Sequence, residues 1–271
     1  MRTKPEHVLI TGASSGIGRA LALHYAAPGR VLSLNGRDAE RLAATAEACR
    51  QRGATVEAAR IDVTDHDRLE PWIEGCDQRQ AVDLVIAGAG LGGGRALAPP
   101  GGERGAQARD LMAVNMMGVL NTLTPLQPRM AQRGAGHVVI IGSVQGGIGL
   151  PQAPVYSASK AALRIYAEGT RRLLRPQGVA VTLVLPGFVD TPMSQSLTTP
   201  RPWLWSAERA AQRIAHDVAR GARLSAFPWP LRLAVALGTL APDALVDRIL
   251  TYSLKHTGCA PDPGEAEGPS G

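Results

Sequence analysis

A glycine-rich loop between a short apolar run and a helical pattern places the strongest constraint on how this chain folds. The run Val8–Thr11 leads into Gly12-Ala13-Ser14-Ser15-Gly16-Ile17-Gly18, and a helix is predicted over Gly16–Ala27. In this order Gly12 makes a tight turn, Gly16 admits a pyrophosphate close to the backbone, and Gly18 lets helix and strand pack closely. The amino end of the helix faces the anion. The loop therefore predicts dinucleotide binding.

The alternation of short apolar runs with helical segments continues to residue 227. Strands are predicted over Val8–Thr11, Val31–Asn35, Thr55–Ile61, Val82–Ala87, His137–Ile141, Val179–Leu185 and Leu224–Phe227. Helices are predicted over Gly16–Ala27, Ala39–Arg52, Asp67–Glu74, Gln107–Met130, Val155–Arg175 and Ala207–Arg220. Because strands that alternate with helices pair in parallel, we predict an α/β fold: one doubly wound (Rossmann) parallel sheet of about seven strands with helices on both faces.

The rest of the chain is expected to complete one domain over residues 1–257. A proline-stiffened flap at 191–206 would cover the substrate, and an apolar segment follows at 228–257. Residues 231–240 are too short and interrupted to span a bilayer, which leaves a membrane-resting helix, a dimer contact or a cover over the pocket. Residues 258–271, rich in Gly, Pro and acidic side chains, predict a disordered tail.

Charge and cysteine usage narrow the partners. The formal net charge is +6, but the arginines are scattered and no aromatic residues are interleaved with them, so nucleic-acid binding is not expected. Anionic cofactors or lipid headgroups suit the charge better. Cys49, Cys76 and Cys259 show no metal-ligand spacing, so no metal site is predicted. The first strand begins too early for a signal peptide, which predicts a cytoplasmic location with possible contact at a membrane surface.

Tyr156 and Lys160 lie in the run Tyr-Ser-Ala-Ser-Lys. Four residues apart on a helix, the phenol and the ammonium project from one face and can meet. An ammonium favours the phenolate, so Lys160 is expected to lower the pKa of Tyr156 toward the working pH of an acid/base catalyst. The pair suits proton transfer to or from an alcohol or carbonyl oxygen.

The end of the second predicted strand distinguishes between cofactors. A carboxylate there would bind a ribose diol, but this chain has Asn35-Gly36-Arg37. Arg37 can pair with a 2′-phosphate, so NADP(H) is favoured over NAD(H), although a solvated surface arginine is the alternative. Asp62 and Val63 follow the third strand, where they either contact the adenine or only form the strand-end turn.

Together these motifs resemble the short-chain dehydrogenase/reductase family across residues 6–193. The matching segments are Thr11–Gly18, Asp62-Val63, Asn115, Ser143, the Tyr156/Lys160 pair and Pro186–Thr191. One departure is Gly88-Ala89-Gly90, where the family commonly has Asn-Ala-Gly. Loss of that asparagine, which ordinarily ties adjacent strands together, is expected to reduce local rigidity.

The resemblance implies a role for each matching residue. Tyr156 would be the general acid in reduction and the general base in oxidation. Lys160 would lower the pKa of Tyr156 and donate a hydrogen bond to the nicotinamide ribose. Ser143 would donate a hydrogen bond to the substrate oxygen. Asn115 would hold a water that links Lys160 to solvent. The resemblance also implies a homodimer or homotetramer, built on the two long helices.

The complete predicted site has three parts. The catalytic residues are Asn115, Ser143, Tyr156 and Lys160. The cofactor-binding residues are Gly12, Ser14, Ser15, Gly16, Ile17, Gly18, Arg37, Asp62, Val63, Gly88, Ala89, Gly90, Tyr156, Lys160, Pro186, Gly187, Val189 and Thr191. The substrate-pocket residues are Ser143, Gln145, Leu150, Tyr156, Met193 and Trp203.

The leading hypothesis is an oxidoreductase that interconverts a secondary alcohol and its carbonyl compound by hydride transfer with NADP(H), on a lipophilic small molecule. The bulky apolar side chains of the flap suggest the lipophilic substrate. Three rivals stay open: an NAD-preferring dehydrogenase of the same fold, a catalytically silent dinucleotide-binding regulator, and a peripheral membrane protein.

Overall fold

A computed structural model describes residues 5–92, 103–197 and 200–256, with side chains through residue 250. The main-sheet strands are β1 (His7–Thr11), β2 (Val31–Asn35), β3 (Thr55–Ala59), β4 (Leu84–Ala87), β5 (Gly136–Ile141), β6 (Val179–Pro186) and β9 (Leu224–Phe227). Two short strands, β7 (Val189–Asp190) and β8 (Trp205–Ser206), pair separately. The tail predicted at 258–271 lies outside the described residues.

The helices follow the strands in alternation. They are α1 (Gly16–Tyr25), α2 (Ala39–Arg50), α3 (His66–Arg79), α4 (Gly105–Met112), α5 (Gly118–Leu123), α6 (Gln127–Gln132), α7 (Pro154–Leu174), α8 (Pro192–Gln195), α9 (Ala207–Ala219), α10 (Trp229–Gly238) and α11 (Asp243–His256). None of the helices in these described ranges is long and apolar enough to cross a membrane.

The main sheet is fully parallel and has seven strands, as the sequence predicts. Their order is β3-β2-β1-β4-β5-β6-β9. Alternate residues of β1 belong to two different cores: Val8 and Ile10 pack with α1, whereas Leu9 packs with Leu69 of α3 on the opposite face. Burial on both faces explains why the strands are nearly continuous apolar runs.

The helix predicted over Gln107–Met130 is wrong. The chain instead forms α4, a π-helical turn at Ala113–Met117, α5 and then α6. Apolar periodicity continues through this region, so sequence pattern alone does not reveal the break. A π turn contains one more residue than an α-helical turn, so the side chains of α5 point in directions that a continuous α-helix would not give them. Such turns are frequent at functional sites.

The strand order reverses between β1 and β4. The connections from these neighbouring strands leave toward opposite faces of the sheet, which opens a crevice at their carboxyl ends. In open α/β sheets this switch point is where ligands bind. The glycine loop after β1 and Gly88-Ala89-Gly90 after β4 lie directly beside each other there.

Candidate active site

A cavity of about 1030 Å³ extends along the carboxyl ends of the parallel strands. Its walls come from the glycine loop, from the segments that follow β2, β4, β5 and β6, and from α10 and α11. Most of the predicted site residues line it. Asp62, Asn115 and Trp203 do not.

The glycine loop leaves room for a ligand only because side chains are missing from it. Gly12 has a φ of 73°, and a Cβ there would lie 2.7 Å from the Ala89 nitrogen. A Cβ on Gly18 would lie 2.2 Å from the Gly12 oxygen. These distances fit the sharp turn and close helix approach that a pyrophosphate cradle requires, at the amino end of α1.

Two arginines line the end of the cavity beyond the glycine loop. Arg37 lies 3.7 Å from Asp62, and Arg41 hydrogen-bonds Asp38 at 2.8 Å. All four side chains are more than a third exposed, so these ion pairs are weak and can rearrange around an anion. Sequence reasoning missed Arg41, although its place in the first turn after the Asp38 helix cap was the available signal.

The Asn35 side chain lies under this end. Its amide nitrogen donates to the carbonyls of Ala59 and Ile61, at 3.2 and 2.9 Å, and so fastens β2 to β3. Its Oδ1 is buried without a hydrogen-bond partner in the described residues. Asp62 does not line the cavity. Burial opposes its ionisation, but hydrogen bonds from Thr64 and the Arg37 charge outweigh that effect and lower the pKa of its carboxyl.

Tyr156 and Ser143 come together at the other end of the cavity. Ser143 caps the 3-10 turn Val144–Gly147 that follows β5, where its Oγ accepts from the Gln145 amide at 3.1 Å. Burial raises the pKa of the Tyr156 phenol, and the interaction with Ser143 only partly opposes that rise. The predicted lowering of this pKa by Lys160 is therefore wrong, because desolvation of the phenol outweighs the effect of its neighbours.

Lys160 is buried one helical turn along α7. Its Nζ lies 5.7 Å from the centre of the Tyr156 ring and donates to the Ile141 carbonyl at 3.3 Å. Burial lowers the pKa of its ammonium from 10.5 to about 8. Burial therefore makes the Lys160 ammonium easier to deprotonate and the Tyr156 phenol harder to deprotonate.

Asn115 occupies the π turn and is completely buried. Its Oδ1 accepts from the Leu91 amide at 2.7 Å, and its Nδ2 donates to the Leu91 carbonyl and to Ser159 Oγ, each at 3.1 Å. Ser159 Oγ in turn donates to the Tyr156 carbonyl at 2.7 Å. Asn115 therefore ties the segment after β4 to the helix that carries Tyr156.

This network bears on the missing asparagine at position 88. A Cβ on Gly88 would lie 2.8 Å from the Thr11 oxygen, so the backbones approach too closely here for a side chain. Asn115 holds Leu91 by both its amide and its carbonyl. Close packing of the Gly88 backbone on β1 and the two Asn115 hydrogen bonds to Leu91 therefore connect this segment to its neighbours without an asparagine at position 88.

The end of the cavity beside Tyr156 is mostly apolar. Gln145, Leu150 and Met193, which the sequence assigns to a substrate pocket, line the cavity together with Leu197, Pro200, Pro202, Ile148, Leu231, Ala234, Val235 and Leu250. Trp203 instead points outward and is 53% exposed. Trp205 stacks on Phe227 of β9, with ring centres 4.7 Å apart. The flap is therefore attached to the main sheet by Trp205, and Trp203 does not close it over the cavity.

Helix α10 forms one wall of this end and touches the turn that carries Ser143. A Cβ on Gly147 would lie 2.4 Å from Val235 Cγ1, and a Cβ on Gly146 would lie 2.6 Å from the Lys160 carbonyl carbon. The turn is therefore held between α7 and α10. Of the three roles that the sequence leaves open for residues 228–257, the described part of the segment takes one, because Leu231, Val235 and Leu250 line the cavity.

Comparison with known proteins agrees with this geometry. A family model described as short chain dehydrogenase matches residues 6–202. An uncharacterised oxidoreductase from Myxococcus xanthus is 35% identical over 240 residues, which are 88% of this chain and 94% of that protein.

Solved structures are similar over most of the chain. A short-chain dehydrogenase from Sphingobium yanoikuyae in complex with NADPH has a TM-score of 0.73 at 26% identity, covering 97% of this chain and 98% of that one. A short-chain dehydrogenase/reductase from Burkholderia phymatum in complex with NAD has a TM-score of 0.78 at 25% identity, covering 88% and 94%.

Proposed function

Because this chain belongs to the short-chain dehydrogenase/reductase family and is a nicotinamide-dependent oxidoreductase, we propose that it interconverts a secondary alcohol and its carbonyl compound with NADP(H), on a lipophilic substrate. One observation carries the proposal: Ser143, Tyr156 and Lys160 converge on the cavity that the glycine loop also lines. A dinucleotide on that loop and a carbonyl compound at Tyr156 would share one enclosed space.

The side chains divide the chemistry between them. A bound nicotinamide supplies or accepts the hydride. The Ser143 hydroxyl donates a hydrogen bond to the substrate oxygen and stabilises the negative charge that develops there. Tyr156 donates its proton to the same oxygen, and Lys160 stabilises the phenolate that remains. Carbonyl reduction starts from the protonated phenol, which is the form that a tyrosine with its ordinary pKa of about 10 already has at neutral pH.

Two charged side chains support NADP(H) over NAD(H). Arg37 and Arg41 line the cavity beyond the glycine loop, and neither is committed to a strong internal ion pair. The carboxylate of Asp62 does not line the cavity. That of Asp38 does, but it accepts hydrogen bonds from the Arg41 amide and the Arg41 side chain, which offset its charge. A 2′-phosphate would exchange exposed, weak pairs for charge-assisted hydrogen bonds.

The apolar substrate end supports a lipophilic substrate. Its walls are aliphatic side chains and prolines, which contact carbon skeletons and exclude water. We expect kcat/KM for acetophenone to exceed that for acetone by at least about tenfold, since a phenyl ring buries far more apolar surface than a methyl group.

The reaction is tested by following NADPH consumption with acetophenone. Wild type is expected to turn over, and Tyr156→Phe to lose at least about 100-fold in kcat because general acid catalysis contributes about that much. Tyr166→Phe is the matched control, since that phenol lies outside the cavity and accepts a hydrogen bond from Gln127. Equal turnover by wild type and Tyr156→Phe would refute the mechanism, and absence of turnover on a broad carbonyl panel would favour a silent regulator.

Cofactor choice is tested by equilibrium titration. Arg37→Ala is expected to weaken NADPH binding about tenfold and to leave NADH binding unchanged. Arg209→Ala serves as a control, because Arg209 lies over the Trp205 ring at 4.0 Å and outside the cavity lining. Unchanged NADPH affinity in Arg37→Ala, with tighter NADH binding by wild type, would establish the NAD-preferring alternative.

A further inference from the structure

Glu103 is a buried carboxylate at the amino end of α7, the helix that carries Tyr156 and Lys160. It is only 5% exposed and comes from the segment just before α4. Its Oε2 accepts from the Val155 amide at 2.9 Å, and its Oε1 accepts from the Tyr156 amide at 3.3 Å. A carboxylate 53 residues away in sequence thus binds the backbone of Tyr156 itself.

The hydrogen bonds at this helix end show why a distant residue is needed. The first helical residue, Pro154, has no amide hydrogen, and the Ser157 amide donates to the Ala153 carbonyl at 3.0 Å. The amides of Val155 and Tyr156 are the two left without a partner in the helix. The N-cap residue is Ala153, which has no side-chain acceptor, so Glu103 replaces the Ser, Thr or Asp usually found there.

The backbone of Tyr156 is held at both its amide and its carbonyl, and Glu103 provides the first of these contacts. The amide of Tyr156 is held by Glu103, its carbonyl by Ser159, and Ser159 by Asn115. Tyr156 is only the third residue of α7, a position at which an uncapped helix frays. A negative charge beside the positive end of the helix dipole adds to the attachment.

We propose that Glu103 is a positioning residue that fixes Tyr156 for proton transfer by capping α7 from outside the helix. It does not contact the substrate oxygen, and its role in the reaction rests on the proposed function of Tyr156. Without the cap the first turn of α7 would open transiently and carry the phenol away from Ser143. A displacement of about 1 Å is enough to cost about 100-fold in rate.

Hydrogen exchange tests the cap directly and needs no substrate. In Glu103→Ala, exchange at the Val155 and Tyr156 amides is expected to accelerate about tenfold, since loss of a cap costs about that factor in helix opening. Glu103→Gln keeps an oxygen acceptor and should accelerate exchange less. Glu168→Ala is the matched control, because Glu168 pairs with Arg172 on the exposed face of the same helix.

Kinetics then distinguish positioning from general support of the fold. With NADPH and acetophenone, Glu103→Ala is expected to lower kcat between about 10- and 100-fold, with KM and NADPH affinity within about twofold of wild type. Glu103→Gln should restore most of that loss. Glu168→Ala should match wild type in kcat.

The outcomes separate cleanly. Unchanged exchange at the two amides in Glu103→Ala, or faster exchange with an unchanged kcat, would overturn the positioning role. If Glu103→Ala fails to fold, Glu103→Leu carries the test, because leucine has a similar size and no acceptor oxygen for the two amides. Wild-type exchange together with wild-type kcat in that variant would again overturn the positioning role. The proposed function fails separately: a fully active Tyr156→Phe would remove the role of the phenol while leaving the exchange result intact.

Discussion

Replacing Lys160 with methionine is expected to stabilise the protein at neutral pH while it removes the activity. The Lys160 ammonium is buried, and burial lowers its pKa from 10.5 to about 8. The charged ammonium is therefore desolvated in the folded state, which destabilises that state relative to the unfolded chain. Methionine has a similar length and no charge, and it suits a buried position.

The size of the effect follows from the shift. At about 1.4 kcal/mol per pKa unit, lowering from 10.5 to about 8 corresponds to about 3 kcal/mol of destabilisation of the charged form. Methionine also leaves the Ile141 carbonyl without the donor that lies 3.3 Å away, which costs about 1 kcal/mol. At pH 7 we therefore expect the unfolding free energy of Lys160→Met to exceed that of wild type by about 2 kcal/mol.

The gain depends on pH in a defined direction. In the unfolded chain Lys160 keeps its proton up to about pH 10.5, whereas in the folded protein it loses the proton near pH 8. Between these values the unfolded state binds more protons, so the unfolding free energy of wild type rises with pH. The methionine variant lacks this rise, and its advantage is full below pH 8 and shrinks by about 2 kcal/mol by pH 10.

Urea unfolding without cofactor, followed by tryptophan fluorescence at pH 7 and at pH 10, measures the difference. Tyr156, whose pKa burial raises, titrates in both proteins and largely cancels from the comparison. NADPH-dependent reduction of acetophenone should be lost in the variant. Two results would refute the reasoning. One is a methionine variant less stable than wild type at pH 7, and the other is a difference in unfolding free energy that is the same at pH 7 and pH 10.

Three further substitutions test other parts of the site. Arg41→Ala is expected to weaken NADPH binding about threefold and leave NADH binding unchanged, as measured by titration, because exposed pairs contribute little each. Gly18→Ala would place a Cβ 2.2 Å from the Gly12 oxygen, so we expect a loss of about 1–3 kcal/mol in urea unfolding and no thermal stabilisation by NADPH. Trp205→Ala removes the stack on Phe227 and should cost about 3 kcal/mol in the same unfolding assay.

The sheet was predictable because each strand is a short apolar run bounded by turn residues, and burial on both faces demands that pattern. All seven predicted strands form, with ends shifted by at most two residues. The break at Ala113–Met117 was not predictable. It depends on where Asn115 finds partners in Leu91 and Ser159, which are far from it in sequence.

The same contrast separates the site residues. Gly12, Gly18, Tyr156 and Lys160 have local signatures, so their positions at the cavity followed from sequence. Glu103 has none, since a cap contributed from 52 residues away leaves no mark on the helix that it caps. The placement of Trp203 was misjudged because hydrophobicity indicates burial but not direction, and its neighbour Trp205 makes the inward contact.

Homodimer or homotetramer formation and peripheral membrane contact stay predictions of the sequence. The single chain tests neither. Exposed apolar side chains on the outer face of α10, such as Trp229 and Leu237, keep the membrane hypothesis open to liposome sedimentation with and without residues 228–258.

The close contact between α10 and the turn after β5 limits how this enzyme can acquire new substrates. Val235 lines the substrate end, yet it also presses on Gly147, in the turn that starts at Ser143 and rests against Lys160. A larger side chain at 235 is therefore expected both to narrow the cavity and to shift the turn that begins at Ser143, the residue proposed to bind the substrate oxygen. Substrate breadth and turnover rate are therefore coupled at Val235. Substitutions at lining residues outside α10, such as Leu197, are expected to change substrate choice with less effect on the rate.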